Sequence, residues 1–153
     1  MCFSAAASFT AASVLAPLGV ASLVRAWRGE RRYLALATLP VLFSVQQLME
    51  GFVWRFGAIG DAAAVERFSL AYMFFSWLAW PVWVPFSVYF LEPGRRRPIY
   101  LVLAIAGGLL GGLQYVPYFA HEGWLTTRLL GAAISYEGTG LLAYGLRRAF
   151  PSA

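Results

Sequence analysis

The sequence predicts an all-α fold: a polytopic transmembrane helical bundle of about five spanning helices, with the N-terminus outside the cytoplasm and the C-terminus in it. Three observations lead there. Sixty per cent of the 153 residues are hydrophobic and only 12% are charged, with a mean hydropathy of +0.65. A water-soluble domain of this size needs a surface drawn from roughly 25% charged residues. The apolar residues also fall into runs long enough to cross a hydrocarbon core, and the arginines between those runs are distributed with one consistent asymmetry.

A spanning helix requires about 20 mostly apolar residues. The first run covers residues 5–24 and stops at Arg25, Arg28, Arg31 and Arg32. The second covers residues 33–54, followed by a polar stretch with turn-like Gly57, Gly60 and Asp61. The third, residues 68–91, ends at Glu92-Pro93-Gly94-Arg95-Arg96-Arg97-Pro98. The fourth, residues 99–119, precedes a short loop with His121, Glu122 and Gly123. The fifth, residues 125–146, is closed by Arg147 and Arg148. Nine arginines follow the first, third and fifth runs, against three (Arg55, Arg67, Arg128) on the other side. Basic residues are retained on the cytoplasmic side, which orients the chain. The runs are too long and too evenly apolar for barrel strands, so helices are the spanning structure expected. No internal repeat or linker divides residues 1–153, and a single domain is expected.

All 12 basic residues are arginine, which excludes Schiff-base or other lysine chemistry. Together with abundant alanine and glycine, the bias fits a GC-rich bacterial genome, and the bacterial inner (cytoplasmic) membrane is the expected location of a multi-pass chain. The net charge of +5 sits in the short connections between apolar runs, so it reads as topology and not as nucleic-acid binding. One cysteine, Cys2, permits no intramolecular disulfide and no cysteine zinc site. The first run lacks a basic leader and a small-residue cleavage site and reads as a retained span. No cofactor-binding fingerprint or hydrolase motif is present, and none of the residues calls for a cofactor.

Gly107, Gly108, Gly111 and Gly112 give the fourth run two overlapping GxxxG patterns, expected to pack against the fifth run or to form a homodimer face. In the third run, Pro81 and Pro85 stand among Trp77, Trp80 and Trp83, and their missing N–H groups free the carbonyls of Trp77 and Pro81.

Ionisable groups within a span cost roughly 2.5–3.5 kcal/mol on insertion scales and are functional candidates for that reason. Glu50 lies in the second run, with Gln46, Gln47 and Trp54 on adjacent parts of the same helical face. The bland alternative is an interfacial ion pair with Arg55, Arg67 or Arg128. Glu137 falls about 18 Å into the fifth run, where a carboxyl carries its proton or bonds to another helix. His121 beside Glu122 reads as a solvated loop pair, as the beginning of a metal site or as an acid–base pair. Cys2, Gln46, Gln47, Glu50, Gln114 and His121 all belong to the outer half by topology.

Met1-Cys2-Phe3-Ser4-Ala5 with Ala7-Ser8-Phe9, then Gln46-Gln47-Leu48-Met49-Glu50-Gly51 with Trp54, then Trp80-Pro81-Val82-Trp83-Val84-Pro85 together resemble the DUF6629-like family of bacterial membrane proteins of unknown function. The resemblance covers roughly the first 120 residues. It implies relatives that are longer, with about seven spans and histidines in the third and fifth, where this chain has Trp77, Ala132 and Ala133. It implies no activity, but singles out Cys2, Ser4, Gln46, Gln47, Glu50 and Trp54. Three function classes follow. The first is an outward-facing polar pocket around Glu50 that binds a small solute, ion or proton, as a carrier or sensor. The second is a non-catalytic subunit of a larger respiratory or photosynthetic membrane complex. The third is an intramembrane enzyme using Glu50 and His121. The lipid bilayer is the one partner common to all three.

Overall fold

The computed structural model describes residues 4–121, 123–130 and 133–138. Four helices are long and apolar enough to cross a membrane: α1 (Ala5–Arg28), α2 (Arg31–Ile59), α3 (Ala62–Leu91) and α4 (Arg97–Ala120). At about 1.5 Å per residue each exceeds the roughly 30 Å hydrocarbon thickness.

Local chemistry sets the ends. The Ser4 hydroxyl accepts from the Ala7 N–H (3.2 Å) and caps α1, and the Asp61 carboxylate does the same for α3 through Ala64 (3.0 Å). α2 stops at Gly60, whose φ of 76° lies in the left-handed region that glycine enters without a Cβ penalty. α2 opens with a 3-10 turn over Arg31–Tyr33 and is interrupted at Thr38, just before Pro40 removes an N–H from the ladder. Within α3 a π-helical turn spans Phe75–Ala79. It stands directly before Trp80-Pro81, where the ring of Pro81 would collide with the Trp77 carbonyl in a regular helix.

The helices pack in chain order, α1 on α2, α2 on α3 and α3 on α4, without comparable packing of α1 on α4. They form an open antiparallel row. α1 and α2 approach closely at two points: Gly19 lies against Pro40 and Val41, and Gly51 lies under the Phe9 ring. The Ser44 hydroxyl donates to the Ala12 carbonyl between these points (2.8 Å). Only 11–28% of the most apolar stretch of each helix is buried within the chain. The rest, including Leu109, Leu110 and Leu113 on α4, is exposed and needs an apolar surrounding.

Two expectations require correction. One of the two GxxxG patterns of α4, Gly107 with Gly111, faces α3 and not a fifth helix. Gly107 and Gly111 lie on the backbone of α3, against the carbonyls of Pro81 and Trp77 respectively. Those are the two carbonyls that Pro85 and Pro81 strip of their helical partners. With no Cβ, each glycine lets the two helix backbones touch at that point.

The second correction is that residues 125–138 are not a fifth spanning helix, so the described fold is not all-α. β1 (Leu125–Leu130) and β2 (Ala133–Gly138) form an antiparallel hairpin, in register from Leu125↔Gly138 to Leu130↔Ala133. Thr126, Thr127, Ile134 and Tyr136 favour extended backbone, and in sequence Gly131-Ala132 is a Gly-first pair suited to a two-residue connection. Open strand edges are not tolerated in lipid, and the hairpin lies at one end of the row. Leu129 packs on Gly57 at the end of α2. Leu125 is buried with Tyr72, Met73 and Tyr118 of α3 and α4. The expected cytoplasmic C-terminus, with Arg147 and Arg148, lies outside the described residues.

Candidate functional site

The buried polar groups of the described chain concentrate on the faces where α1, α2 and α3 meet, and they divide into two kinds. The first is a structural clamp. Gln46, 5% exposed, accepts from the Trp80 indole N–H (2.7 Å) and donates to the Ser76 hydroxyl (3.2 Å). The amide is thus matched on both sides by α3, and Phe43 stacks on the Trp80 ring at 4.2 Å. Nearer the arginine-rich end, the Trp83 indole N–H is shared between Thr38 Oγ1 (2.7 Å) and the Ala35 carbonyl (3.0 Å). Two of the α3 tryptophans therefore hold α2 by directional bonds.

The second kind surrounds Glu50, which is 0% exposed. Trp54 is one turn further along α2, on the same face. Its Nε1 is buried and has no hydrogen-bond partner among the described residues. Across the α1 boundary Ser8, also 0% exposed, has a hydroxyl in the same condition, beside Phe9 and its contact with Gly51. The hairpin supplies Tyr136, stacked on Tyr72 at 5.3 Å, whose buried hydroxyl likewise lacks a partner. Burial pushes the Tyr136 phenol above its ordinary range, and the nearby Tyr72 and Glu50 act in the same direction.

The hairpin is fastened over this region by polar contacts. Thr127 donates to the fully buried Ser69 hydroxyl (2.8 Å), and the Gly123 N–H donates to the Glu66 carboxylate (2.6 Å). A buried carboxyl, two buried hydroxyls and a buried indole N–H thus come from three different parts of the fold. Groups of these kinds donate and accept hydrogen bonds.

The remaining candidates from the sequence separate from this region. Gln47 is half-buried one turn before Glu50, and Ser4 is exposed as the α1 cap. Gln114 is exposed. His121 is exposed at the end of α4, stacked on Trp124 at 4.2 Å with Nδ1 3.0 Å from the Pro117 carbonyl. The structure therefore does not bring His121 into the buried region that holds Glu50. Arg55, Arg67 and Arg128 are exposed as well. Glu137 is a β2 residue opposite Thr126, not a group deep in a helical span, and Cys2 lies outside the described residues. No three His, Cys, Asp or Glu side chains come together among the described residues. Sequence reasoning missed Ser8 and Ser69. The signal available for Ser8 was its place in the Ala7-Ser8-Phe9 segment, one residue from an aromatic that faces α2.

The chain is thus mostly helical, with four helices long and apolar enough to cross a membrane and buried polar side chains between them. A model of the family described as "Family of unknown function (DUF6629)" matches residues 1–145. The chain belongs to that family. The match extends beyond the roughly 120 residues of motif resemblance and includes the hairpin. No curated protein and no solved structure matches.

Proposed function

We propose that this is a multi-pass protein of the bacterial cytoplasmic membrane that binds a small polar solute, an ion or a proton at an enclosed site around Glu50, as a carrier or sensor. The observation that carries this reading is the set of buried polar atoms without partners, Ser8 Oγ, Trp54 Nε1 and Tyr136 Oη, around a fully buried carboxyl. Each orphaned buried group costs about 1–3 kcal/mol. Several in one place are the expected signature of a site whose bonds are completed by something bound. The N-terminus and the hairpin are assigned to the outer side. In support, seven arginines (Arg25, Arg28, Arg31, Arg32, Arg95, Arg96, Arg97) flank the opposite end of the row, against Arg55, Arg67 and Arg128 at the hairpin end.

The test is thermal unfolding of the purified protein and of Glu50→Gln, Trp54→Phe and Tyr136→Phe, across pH and against a panel of small solutes and ions. A ligand at 100 times its Kd stabilises by about 2.7 kcal/mol. The site reading expects stabilisation of the wild type that Glu50→Gln abolishes and the two aromatic variants weaken. Variants that are less stable without any ligand response from the wild type would make the cluster structural.

A second reading, a non-catalytic subunit of a larger membrane complex, draws on the open row of helices and the large exposed apolar faces of α1 and α4. Co-purification of a defined partner from native membranes would favour it. An acid–base enzyme using Glu50 with His121 is poorly supported, because one group is enclosed and the other is exposed and stacked on Trp124.

A further inference from the structure

At the end of the row away from Glu50, a groove of about 1160 Å³ runs between the last turns of α1 and the opening of α2. Its lining is mainly apolar, with Pro17 and Val24 from α1 and Leu36 and Pro40 from α2, and Arg25, Arg28 and Glu30 add charge, the last neutralised by its pair with Arg32. The volume exceeds the roughly 300–1000 Å³ of a drug-sized pocket, and the groove lies open along the helices.

The arginines at this end are not equivalent. Arg31 lies over the Trp27 ring at 4.6 Å, and Arg97 lies over Tyr89 at 4.2 Å. Arg32 pairs with Glu30 at 2.5 Å. Arg25 and Arg28 have no carboxylate within ion-pair distance among the described residues. Three residues apart on a helix, they point to the same side, and both line the groove.

We propose that this groove is a binding site for an anionic phospholipid, with its phosphate on Arg25 and Arg28 and an acyl chain along the Pro17–Val24 side of α1. The order of chemistry along the groove matches such a molecule. The guanidinium pair sits where the apolar span gives way to the arginine-rich turn, at headgroup level, and the apolar lining continues from there into the span. Guanidinium groups bond phosphate oxygens bidentately, and basic pockets between spanning helices are where anionic headgroups are retained. The site is independent of Glu50 and separate from it.

The test is native mass spectrometry of the purified protein titrated with phosphatidylglycerol, phosphatidylcholine or inorganic phosphate. Phosphatidylglycerol should be retained at one site per chain in preference to phosphatidylcholine. Arg25→Gln/Arg28→Gln should weaken that retention by about thirtyfold, at about one tenfold step or less for each charge lost near the surface. Arg95→Gln/Arg96→Gln, which removes the same charge at the same end but outside the groove, should leave it nearly unchanged. Ala37→Phe, which fills the groove without altering charge, should also release the lipid. Equal loss in both arginine pairs would show diffuse surface attraction and overturn the proposal. So would equal retention of the two lipids, or displacement of phosphatidylglycerol by inorganic phosphate alone.

Discussion

Gln46 and Glu50 stand one turn apart on α2 and both are buried, yet their neighbours assign them different work. Gln46 spends its amide on Trp80 and Ser76 of α3. Gln46→Leu leaves a buried indole N–H unmatched, so it should destabilise the protein by about 1–3 kcal/mol. Gln46→Leu/Trp80→Phe removes both partners and should recover part of that loss, with a coupling of about 0.6–1.7 kcal/mol, the range seen for interhelical bonds in membranes. Equilibrium unfolding of the two single variants and the double variant measures the coupling directly. Strict additivity would mean that the bond contributes nothing. The glutamine-glutamate face was legible in the sequence because three polar residues at helical spacing are conspicuous in an apolar run. Which of them would be matched was not legible, since that depends on Ser76 and Trp80, some 30 residues away on another helix. Ser8 was harder still: serine costs little in a span and attracts attention only when its burial is known.

At the scale of elements, the α3–α4 contact turns two sequence irregularities into one interface. Pro81 and Pro85 expose the carbonyls of Trp77 and Pro81, and Gly111 and Gly107 let α4 settle on them. A methyl group at Gly111 would collide with the backbone of α3, whereas one at Gly112 meets nothing within 4 Å. Gly111→Ala should therefore cost about 1–3 kcal/mol by forcing the helices apart, while Gly112→Ala should lie within about 0.5 kcal/mol of the parent. Unfolding of both variants under identical conditions gives the contrast, and equal values would remove the close contact from the account. The glycines and prolines were each readable as punctuation, but their pairing across helices was not. The hairpin was misread for a physical reason. An apolar run of helical length satisfies hydropathy whether it crosses lipid as a helix or packs on a helical row as two short strands. The strand formers Thr126, Thr127, Ile134 and Tyr136 were the local evidence, and length outweighed them. Because the hairpin is docked through Thr127 on Ser69, Ser69→Ala/Thr127→Val should speed amide hydrogen exchange in β1 and β2 while leaving α1 unchanged. Unaltered exchange in the strands would show that Leu125 and Tyr136 hold the hairpin without the polar latch.

For the whole molecule, the arginine asymmetry and the hairpin at the opposite end give the row a direction. The short turns around Gly60 and Gly94 lie at opposite ends of the described row. Orientation decides which compartment the proposed Glu50 site faces and which leaflet meets the Arg25–Arg28 groove. The positive-inside bias predicts that the turn between α2 and α3 is outside and the turn between α3 and α4 is cytoplasmic. In a Cys2→Ala background, Asp61→Cys should react with a membrane-impermeant maleimide in intact cells, and Gly94→Cys should react only after permeabilisation. Both positions are exposed, so accessibility alone does not separate them; the bilayer does. The reverse labelling pattern would place the proposed Glu50 site on the cytoplasmic side, where a sensor of internal solute or pH replaces a receiver of external ones. It would also move the proposed lipid to the outer leaflet, while leaving each site's internal chemistry unchanged, because neither the buried cluster nor the arginine pair depends on which way the helices cross.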